Sequence, residues 1–354
     1  MTDTLLVTST ESGTGKTAIA ISLGRLAQDR GKTVGYMKPK GTRLRTRVGK
    51  VLDTDPLFAQ EVLGLTDAIE TMEPVVYSST FLQHVMRGDE SVEAIHAALE
   101  EAHQQISRDR DLVIIEGGDT LTTGGVIDLT DADIATLLNA RMVLVAAYPG
   151  LTAVDELLAT IDHCGDRLDG VLFNAVGQEA LAELESLVIP YLEARGHKVL
   201  GVLPRERELA TVPVTELANE IGATILTAPS TNDRVARYVV GAMSSDRALR
   251  HFRRTRDAVV ITGGDRPGIQ AAAIEAPGIR GIVLTGGYRP PPRIITTAED
   301  AAIPIMSVDM DTLGAIERVE DVLGAGRVRG EAEVALMREL LSGHTDLDVL
   351  LGCN

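Results

Sequence analysis

The chain has 354 residues, of which 51 are acidic and 34 basic, so its formal net charge is −17, and 44% of its residues are hydrophobic. This composition excludes a disordered tail, a collagen-like fibre and a small disulfide scaffold, and the length favours two domains or one large α/β domain. The acidic balance also argues against nucleic acid as a partner, because binding a polyanion needs clustered Lys and Arg.

Short apolar runs alternate with amphipathic stretches from the first residues onward. This alternation predicts an α/β fold in which a parallel β-sheet is covered by helices. A helix is predicted over residues 15–30, and Gly31 is expected to end it. The predicted strands are LLVTS, TVGYM, LVIIE, MVLVAA, GVLFN and KVLGVL.

The segment TSTESGTGKT lies between the first predicted strand and the first predicted helix. Phosphate binding needs free amide groups, a cation, a hydroxyl for Mg²⁺ and a positive helix N-terminus, and this segment offers all four. It departs from the usual phosphate loop at Thr10, where the motif normally has its first Gly. A chance turn is the alternative, but it does not explain the strand, loop and helix context. The residues expected to bind nucleotide are Gly13, Thr14, Gly15, Lys16 and Thr17.

Two lysines follow the second predicted strand on a turn stiffened by Pro39. The chain has only six lysines, a scarcity that suits either a high-salt cytosol or a GC-rich genome. Since Lys38 and Lys40 would face the same sheet edge as Lys16, their retention indicates that a compact ammonium is required there. We therefore predict catalytic roles for these three lysines. The alternative is that Lys38 and Lys40 are ordinary solvated side chains.

Three carboxylates fall where a metal–triphosphate site would need them. Asp53 and Asp55 are expected on one face of an extended segment, because side chains two residues apart point the same way, and they could share a hydrated Mg²⁺. For Asp55, capping the following helix is an equal alternative. Glu116 ends the strand LVIIE ahead of two glycines, so its carboxylate should project toward the metal. The predicted metal ligands are Thr17, Asp55 and Glu116.

After Pro204 the pattern loosens into the charged stretch RERELA, and a second α/β region follows. Its predicted elements are a strand ATIL, a helix through DRVARYVVGAM, and the strands AVVIT, GIVLT and IPIMSV. We predict a nucleotide-binding domain over residues 1–210, a smaller α/β domain over 211–320 and a helical segment over 321–354.

The second region contains a repeat, in which a strand is twice followed by Thr-Gly-Gly-x-Arg-Pro. Both loops would emerge at carboxyl ends of parallel strands, where open α/β folds bind ligands, and each Arg could hold an oxyanion. The alternative is that Gly-Gly only permits tight turns and each Arg pairs with a nearby acid. The residues predicted to bind a small anionic metabolite are Thr262, Gly263, Gly264, Asp265, Arg266, Thr285, Gly286, Gly287 and Arg289.

The motifs of the first region together resemble the dethiobiotin synthetase branch of P-loop proteins, whose phosphate loop also lacks the usual first Gly. The resemblance implies ATP or GTP with Mg²⁺ as cofactors, and substrate or metal roles for Lys38, Asp55 and Glu116. It also implies that Asn174, at the end of GVLFN, faces the base. Glu11 stands near the position of that family's phosphate-loop Asp.

The second region resembles the DRTGG domain, and the order of the two regions is similar to the N-terminal, non-catalytic half of long phosphotransacetylases. After Asp265-Arg266 the chain has Pro267 and Gly268 in place of that domain's usual residues. The resemblance extends to about Glu320, and no acetyltransferase domain of about 300 residues follows. We therefore expect a free-standing regulatory homo-oligomer that acts with an enzyme of acetyl-CoA and acetyl-phosphate metabolism. The alternative is an ATP-dependent carboxylate ligase.

The remaining signals concern location and cysteine chemistry. No apolar run reaches the ~18 residues of a membrane helix, and the N-terminus lacks a basic segment before its apolar run. A cytoplasmic protein that does not bind membranes is therefore expected. Cys164 and Cys353 lie in no metal-ligand spacing, so they are expected to be a buried thiol and a tail residue.

Overall fold

The computed structural model describes residues 2–42, 44–47, 50–228, 233–323 and 330–353. They form an α/β protein, which confirms the predicted fold class. The chain divides into two units, of which unit 1 comprises residues 2–206 together with 330–353, and unit 2 comprises residues 207–323.

The regular elements cover most of both units. The strands are β1 (Asp3–Ser9), β2 (Val34–Met37), β3 (Lys40–Gly41), β4 (Leu44–Arg47), β5 (Lys50–Asp53), β6 (Val75–Val76), β7 (Leu112–Glu116), β8 (Arg141–Ala146), β9 (Leu168–Val176), β10 (Val199–Pro204), β11 (Val212–Pro213), β12 (Thr224–Ile225), β13 (Arg234–Val235), β14 (Arg237–Val240), β15 (Ala258–Gly263), β16 (Ile279–Thr285) and β17 (Ile305–Ser307). The helices are α1 (Lys16–Asp29), α2 (Thr54–Leu63), α3 (Ile69–Met72), α4 (Ser79–Arg87), α5 (Val92–Ser107), α6 (Asp131–Leu137), α7 (Ala153–Cys164), α8 (Gln178–Glu183), α9 (Ile189–Ala194), α10 (Arg207–Ala210), α11 (Val214–Glu220), α12 (Ser245–Phe252), α13 (Pro267–Glu275), α14 (Pro292–Asp300), α15 (Thr312–Leu323), α16 (Glu331–His344) and α17 (Leu347–Leu350).

Unit 1 is built on a six-stranded sheet in the order β10-β9-β8-β1-β7-β2. Every pairing in it is parallel, and the six predicted strands of the first region are these six. The strands are rich in Val, Ile and Leu, and β1, β2, β7 and β8 are almost fully buried while the edge strand β10 is mostly half-buried, as expected of a parallel sheet with both faces covered. Because all six strands run the same way, their carboxyl ends meet at one edge of the sheet.

The C-terminal residues belong to unit 1. Helix α16 packs on α1, and Ser22 Oγ donates a hydrogen bond to the carbonyl oxygen of Val334 (3.4 Å). Farther on, the Arg141 guanidinium donates to the carbonyl oxygens of Val349 (3.0 Å) and Leu350 (2.7 Å). The helical segment predicted over 321–354 is thus part of the first unit over residues 330–353, while residues 321–323 lie in α15 of the second unit.

Unit 2 is built on a smaller sheet in the order β12-β17-β16-β15-β14, parallel except for β12. Alternate residues of β15 enter different apolar clusters: Val259 and Ile261 pack on one face and Val260 on the other. This alternation shows that helices cover both faces of the sheet.

The helix predicted through Asp233–Met243 is wrong. The segment forms β13 and β14, and β14 pairs in parallel with β15. The residues Tyr238, Val239 and Val240 are aromatic or β-branched, and such side chains fit a pleated, half-buried edge strand better than a helix.

No helix in the described ranges is both long enough and apolar enough to cross a membrane. Cys164 is buried and Cys353 is exposed, as predicted for a core thiol and a tail residue.

Candidate functional site

The phosphate loop runs from the end of β1 to the first residue of α1, at the carboxyl edge of the unit 1 sheet. Gly15 caps α1 with φ +90°, in the left-handed region that favours glycine. Asn174 Nδ2 donates to the carbonyl oxygen of Thr14 (2.7 Å), and a Cβ on Gly15 would lie 2.5 Å from that nitrogen. Asn174 therefore fixes the loop from β9, and only glycine fits at residue 15. Glu11 and Gly13 are exposed on the same loop.

One buried hydroxyl of this loop is unsatisfied in the described structure. Thr14 is only 7% exposed, and its hydroxyl has no hydrogen-bond partner among the described residues. Buried hydroxyls in native proteins are nearly always hydrogen-bonded, so an orphan one calls for an explanation. An oxygen-rich ligand on the loop would satisfy it, and the loop thus fits a bound phosphate.

Lys16 is buried at the start of α1. Its Nζ donates to Ser9 Oγ (2.5 Å) and to the carbonyl oxygen of Asp119 (3.2 Å), which follows β7. Asp119 in turn accepts a hydrogen bond from Thr42 Oγ1 through its carboxylate (3.0 Å). The ammonium is thereby held between the end of β1 and the loop after β7, beside the phosphate loop.

A second buried ammonium lies within a group of carboxylates, which we call the Lys38 cluster: Lys38, Asp53, Asp55 and Glu116. Lys38 Nζ lies 2.8 Å from Asp53 Oδ2 and 3.6 Å from Glu116 Oε1, and it also pairs with Asp55. All four side chains are almost fully buried. Within these four residues, three carboxylates face one ammonium.

The hydroxyl of Thr17 joins the phosphate loop to the Lys38 cluster. Thr17 Oγ1 donates to Glu116 Oε1 (2.7 Å) and lies 3.5 Å from Asp55 Oδ2. The structure therefore brings together Thr17, Asp55 and Glu116, the three residues predicted as metal ligands. Hydroxyl and carboxylate oxygens are the ligands that Mg²⁺ prefers, so the donor set fits this ion.

Burial and neighbouring charges shift the ionisation of this cluster. Burial alone would lower the pKa of Lys38, but the charges of Glu116, Asp55 and Asp53 outweigh it and raise that pKa. Burial raises the pKa of Glu116, although Lys38 opposes the shift. Tyr36 donates to Glu116 Oε2 (2.6 Å), and burial raises its pKa strongly as well. Lys38 is thus a permanent cation, while Glu116 is easier to protonate than an exposed carboxylate.

The expectation that Asp53 and Asp55 lie on one face of an extended segment is wrong. Asp53 ends β5 and caps α2, where its carboxylate accepts a hydrogen bond from the Asp55 amide (3.0 Å). Asp55 lies in the first turn of α2, so the capping role considered for it belongs to Asp53. The two carboxylates still meet at Lys38, because the turn from strand to helix brings both toward the sheet edge.

Glu73 is a site residue that sequence reasoning missed. Its carboxylate accepts a hydrogen bond from the Asp53 amide (3.0 Å), and a Cβ on Gly41 would lie 1.7 Å from its Oε1. Burial raises the pKa of Glu73 to about 7, although the bond from Asp53 opposes the shift. Glu73 belongs to no motif, so its only signal is the tertiary contact itself.

Lys40 is directed elsewhere, although only Pro39 separates it from Lys38. Its Nζ donates to the carbonyl oxygens of Thr123 (2.5 Å) and Leu129 (2.6 Å) and lies 3.1 Å from Asp131 Oδ1. These three acceptors use all three N–H groups of the ammonium. The geometry gives Lys40 a role in holding the loop after β7, and its catalytic role stays a prediction that this arrangement does not favour.

The two Thr-Gly-Gly loops of unit 2 lie side by side, since the Gly264 amide donates to the carbonyl oxygen of Thr285 (3.1 Å). Arg266 donates from Nη1 to the carbonyl oxygen of Gly241 (2.9 Å) and from Nη2 to that of Met243 (3.1 Å). Arg289 is exposed. Among the described residues Arg266 pairs with no acid, since its guanidinium donates to two backbone carbonyl oxygens. The expected anion site would therefore depend on Arg289 and the backbone. Of the remaining residues predicted there, Thr262 is buried, Gly263 is half-buried, and Asp265, Gly286 and Gly287 are exposed.

Two family models match the chain. The model of the AAA domain matches residues 3–212, which is more than half of the chain. The model of the DRTGG domain matches residues 216–322. The order of the two domains is the one that the sequence resemblance implied.

Curated relatives cover either the whole chain or its first region. A phosphate acetyltransferase of Haemophilus influenzae is 26% identical over 88% of this chain and 47% of its own length. An ATP-dependent dethiobiotin synthetase of Methanococcus vannielii is 25% identical over 58% of this chain and 94% of its own length. The chain thus spans about half the length of the phosphate acetyltransferases it matches.

A solved structure with a similar domain is the regulatory region of Clostridium perfringens pyrophosphatase. It contains CBS and DRTGG domains in complex with the activator diadenosine tetraphosphate. It is 25% identical, covers 32% of this chain and 47% of its own, and has a TM-score of 0.28.

Proposed function

The chain belongs to the AAA domain family, and from this premise we propose that unit 1 binds a Mg²⁺–nucleoside triphosphate, ATP or GTP, at its phosphate loop. We further propose that the DRTGG domain of unit 2 binds a small anionic metabolite at its two Thr-Gly-Gly loops. Together the two ligands would regulate a partner enzyme of acetyl-CoA and acetyl-phosphate metabolism.

The observation that carries this proposal is the convergence of charged groups at the carboxyl edge of unit 1. Lys16 and the N-terminus of α1 adjoin the phosphate loop, and Thr17 connects them to the Lys38 cluster. A helix N-terminus with a nearby ammonium attracts phosphate oxygens, and the unsatisfied Thr14 hydroxyl would face an acceptor there. Asn174, which is hydrogen-bonded to Thr14, would contact the base in this proposal.

Thr17, Asp55 and Glu116 would hold Mg²⁺ in this proposal. Among the described residues no group of three His, Cys, Asp or Glu side chains could hold a metal ion. Mg²⁺ commonly takes only one or two carboxylates and completes its six ligands with water and phosphate oxygens, so two carboxylates and a hydroxyl suffice. When bound, the ion neutralises charge on the phosphate oxygens.

The regulatory part of the proposal is supported by the alignment to phosphate acetyltransferases over 88% of this chain. Regulation of this kind requires each ligand to change the affinity of the other by the same factor. The protein would therefore bind nucleotide with a different affinity when the metabolite is present.

Isothermal titration calorimetry on the full chain tests this function. We expect wild-type protein to bind ATP or GTP with Mg²⁺, and Lys16→Ala to lose most of that affinity because the ammonium beside the phosphates is removed. Lys198→Ala is the matched control, since Lys198 is half exposed and pairs only with Asp346 in the described structure. Repeating the titration with acetyl phosphate or acetyl-CoA tests the coupling. Absence of nucleotide binding would contradict the proposal.

A second candidate function is an ATP-dependent ligase that acts on a carboxylate. The placement of Lys38 beside the predicted metal ligands favours it, as does the alignment over 94% of a dethiobiotin synthetase. In such a reaction Lys16 and Lys38 would stabilise the charge that develops as a carboxylate attacks the γ-phosphate. Phosphate release that depends on one member of a panel of carboxylates, and is lost in Lys16→Ala, would favour the ligase over regulation.

A further inference from the structure

We propose that Lys38 acts as an internal counter-ion that competes with the divalent metal for Asp55 and Glu116, and so keeps the metal site closed until nucleotide arrives. This inference rests on the proposed function, because it concerns the metal that would accompany the nucleotide. It makes Lys38 a positioning residue for metal loading.

The competition follows from which oxygen atoms are used. Asp55 Oδ2 pairs with Lys38 Nζ and lies 3.5 Å from Thr17 Oγ1. Glu116 Oε1 accepts a hydrogen bond from Thr17 Oγ1 (2.7 Å) and lies 3.6 Å from Lys38 Nζ. The same two carboxylate oxygens therefore face both the hydroxyl expected to bind the metal and the ammonium. A cation bound to Thr17 and these oxygens would stand within a few ångströms of the Lys38 charge.

Asp53 can keep Lys38 paired when the ammonium moves away from Asp55 and Glu116. Its Oδ2 lies 2.8 Å from Lys38 Nζ, and the same carboxylate accepts hydrogen bonds from the amides of Thr42 (3.2 Å) and Asp55 (3.0 Å). These bonds hold Asp53 in place as the cap of α2. Asp53 can thus retain Lys38 while Asp55 and Glu116 turn to a metal, which accounts for three carboxylates where a metal site needs two.

Charge decides when the exchange occurs. A divalent cation and a buried ammonium repel each other strongly at short range in a medium less polar than water. The negative charge of a triphosphate on the neighbouring loop would offset that repulsion. The free protein should therefore bind a divalent metal weakly, and metal and nucleotide should bind together.

The test measures the binding of Mn²⁺ to the full chain by calorimetry, in the absence of nucleotide. Lys38→Gln removes the charge but keeps N–H donors for the carboxylates, and we expect it to bind Mn²⁺ about tenfold more tightly than wild type, or tighter still. Lys198→Gln removes an exposed lysine charge and should leave Mn²⁺ affinity unchanged. In Lys38→Gln combined with Asp55→Asn, the gain should disappear because one shared carboxylate is lost. Equal Mn²⁺ affinity in wild type and Lys38→Gln would overturn the proposal.

Thermal unfolding covers the case in which Lys38→Gln is too unstable to titrate. The variant removes the ammonium that faces Asp55 and Glu116, so Mn²⁺ should raise its melting temperature much more than that of wild type. If Mn²⁺ does not stabilise the variant, the metal cannot replace the ammonium and the proposal fails. These readouts need no nucleotide: tighter Mn²⁺ binding without any nucleotide binding would contradict only the proposed function, whereas nucleotide binding with unchanged Mn²⁺ affinity would contradict only this inference.

Discussion

The carboxyl edge of unit 1 and the two Thr-Gly-Gly loops of unit 2 share a plan: a parallel strand, a glycine-rich loop, a basic residue and a helix. Unit 1 adds a second basic residue, Lys38, just after β2, and its contacts differ from those of the loop arginine in unit 2. In unit 1, Lys38 faces the side-chain carboxylates of Asp53, Asp55 and Glu116. In unit 2, Arg266 donates to backbone carbonyl oxygens.

The partners of Lys38 can bind another cation in its place, whereas the partners of Arg266 are fixed by the backbone. Carboxylates can turn from an ammonium to another cation, and a ligand can therefore rearrange the Lys38 cluster. The carbonyl oxygens of Gly241 and Met243 are backbone atoms, which cannot turn away as a side chain can. Arg266 therefore stabilises the loop whether or not a ligand is bound. A Gly-rich loop with a basic residue therefore indicates where a site lies, while the groups that the basic residue contacts indicate whether a ligand can rearrange them.

Asp131→Ala should cause the largest loss of stability among these variants. It tests whether the buried ion pair of Lys40 is a fixed part of the fold, as the hydrogen bonds of Arg266 are. Asp131 accepts from Thr8 Oγ1 (2.6 Å) and the Gly118 amide (2.9 Å) and pairs with Lys40. Removing one partner of a buried ion pair costs about 3–5 kcal/mol. We expect a loss of this size in the free energy of unfolding, measured by urea denaturation.

The control for that variant is Asp166→Ala, because Asp166 is exposed and a surface change of this kind costs about 0.5 kcal/mol or less. Similar losses in the two variants would show that the Lys40–Asp131 pair does not hold the loop after β7.

Arg266→Ala should have a smaller effect, about 2 kcal/mol on the unfolding of unit 2, since hydrogen bonds from a charged group contribute about 1.5–3 kcal/mol. Differential scanning calorimetry can measure it, with Arg247→Ala, an exposed arginine of α12, as the control. If Arg266→Ala were as stable as the control, Arg266 would be free to bind a ligand, and the contrast between the two regions would disappear.

Glu73→Gln should have a smaller effect on the free energy of unfolding, and only over a limited range of pH. Burial raises the pKa of Glu73 from 4.5 to about 7, so the folded protein binds a proton that the unfolded chain releases. Its contribution to stability is therefore full below pH 4.5 and is lost as the pH rises through 7. Urea denaturation across this range should show wild type losing more stability than Glu73→Gln. Parallel pH profiles would show that Glu73 has an ordinary pKa.

Arg289→Ala should change stability least, by about 0.5 kcal/mol or less, because the side chain is exposed. It should nevertheless weaken binding of the metabolite that we propose for unit 2, since Arg266 is already engaged. Calorimetry with acetyl phosphate would measure this, and unchanged affinity together with unchanged stability would leave Arg289 without a role in the site.

Sequence reasoning succeeded where the signal is local. The parallel strands follow from apolar runs, and the position of Lys16 and Thr17 follows from a loop of fixed spacing between a strand and a helix. It also selected Asp55 and Glu116, which the structure brings to Thr17.

It failed where only tertiary contacts distinguish the alternatives. Glu73 and Asp131 reach the site region from segments without a motif, and nothing in the sequence marks them. The scarcity of lysine drew attention to Lys38 and Lys40 alike, yet Lys38 faces the predicted metal ligands Asp55 and Glu116 while Lys40 pairs with Asp131. The segment of β13 and β14 has apolar spacing compatible with a helix, and the pairing of β13 with β11 and of β14 with β15 decided the outcome.

The packing of α16 on α1 has a consequence for synthesis of the chain. Residues 330–353 leave the ribosome after all of unit 2, yet they supply the partners of Ser22 and Arg141 in unit 1. Until then one side of α1 lacks its cover, and the Arg141 guanidinium lacks two of its acceptors. The second unit can therefore fold before the first is complete, and the helix that begins at the phosphate loop reaches its final packing only after residues 330–353 have been synthesised.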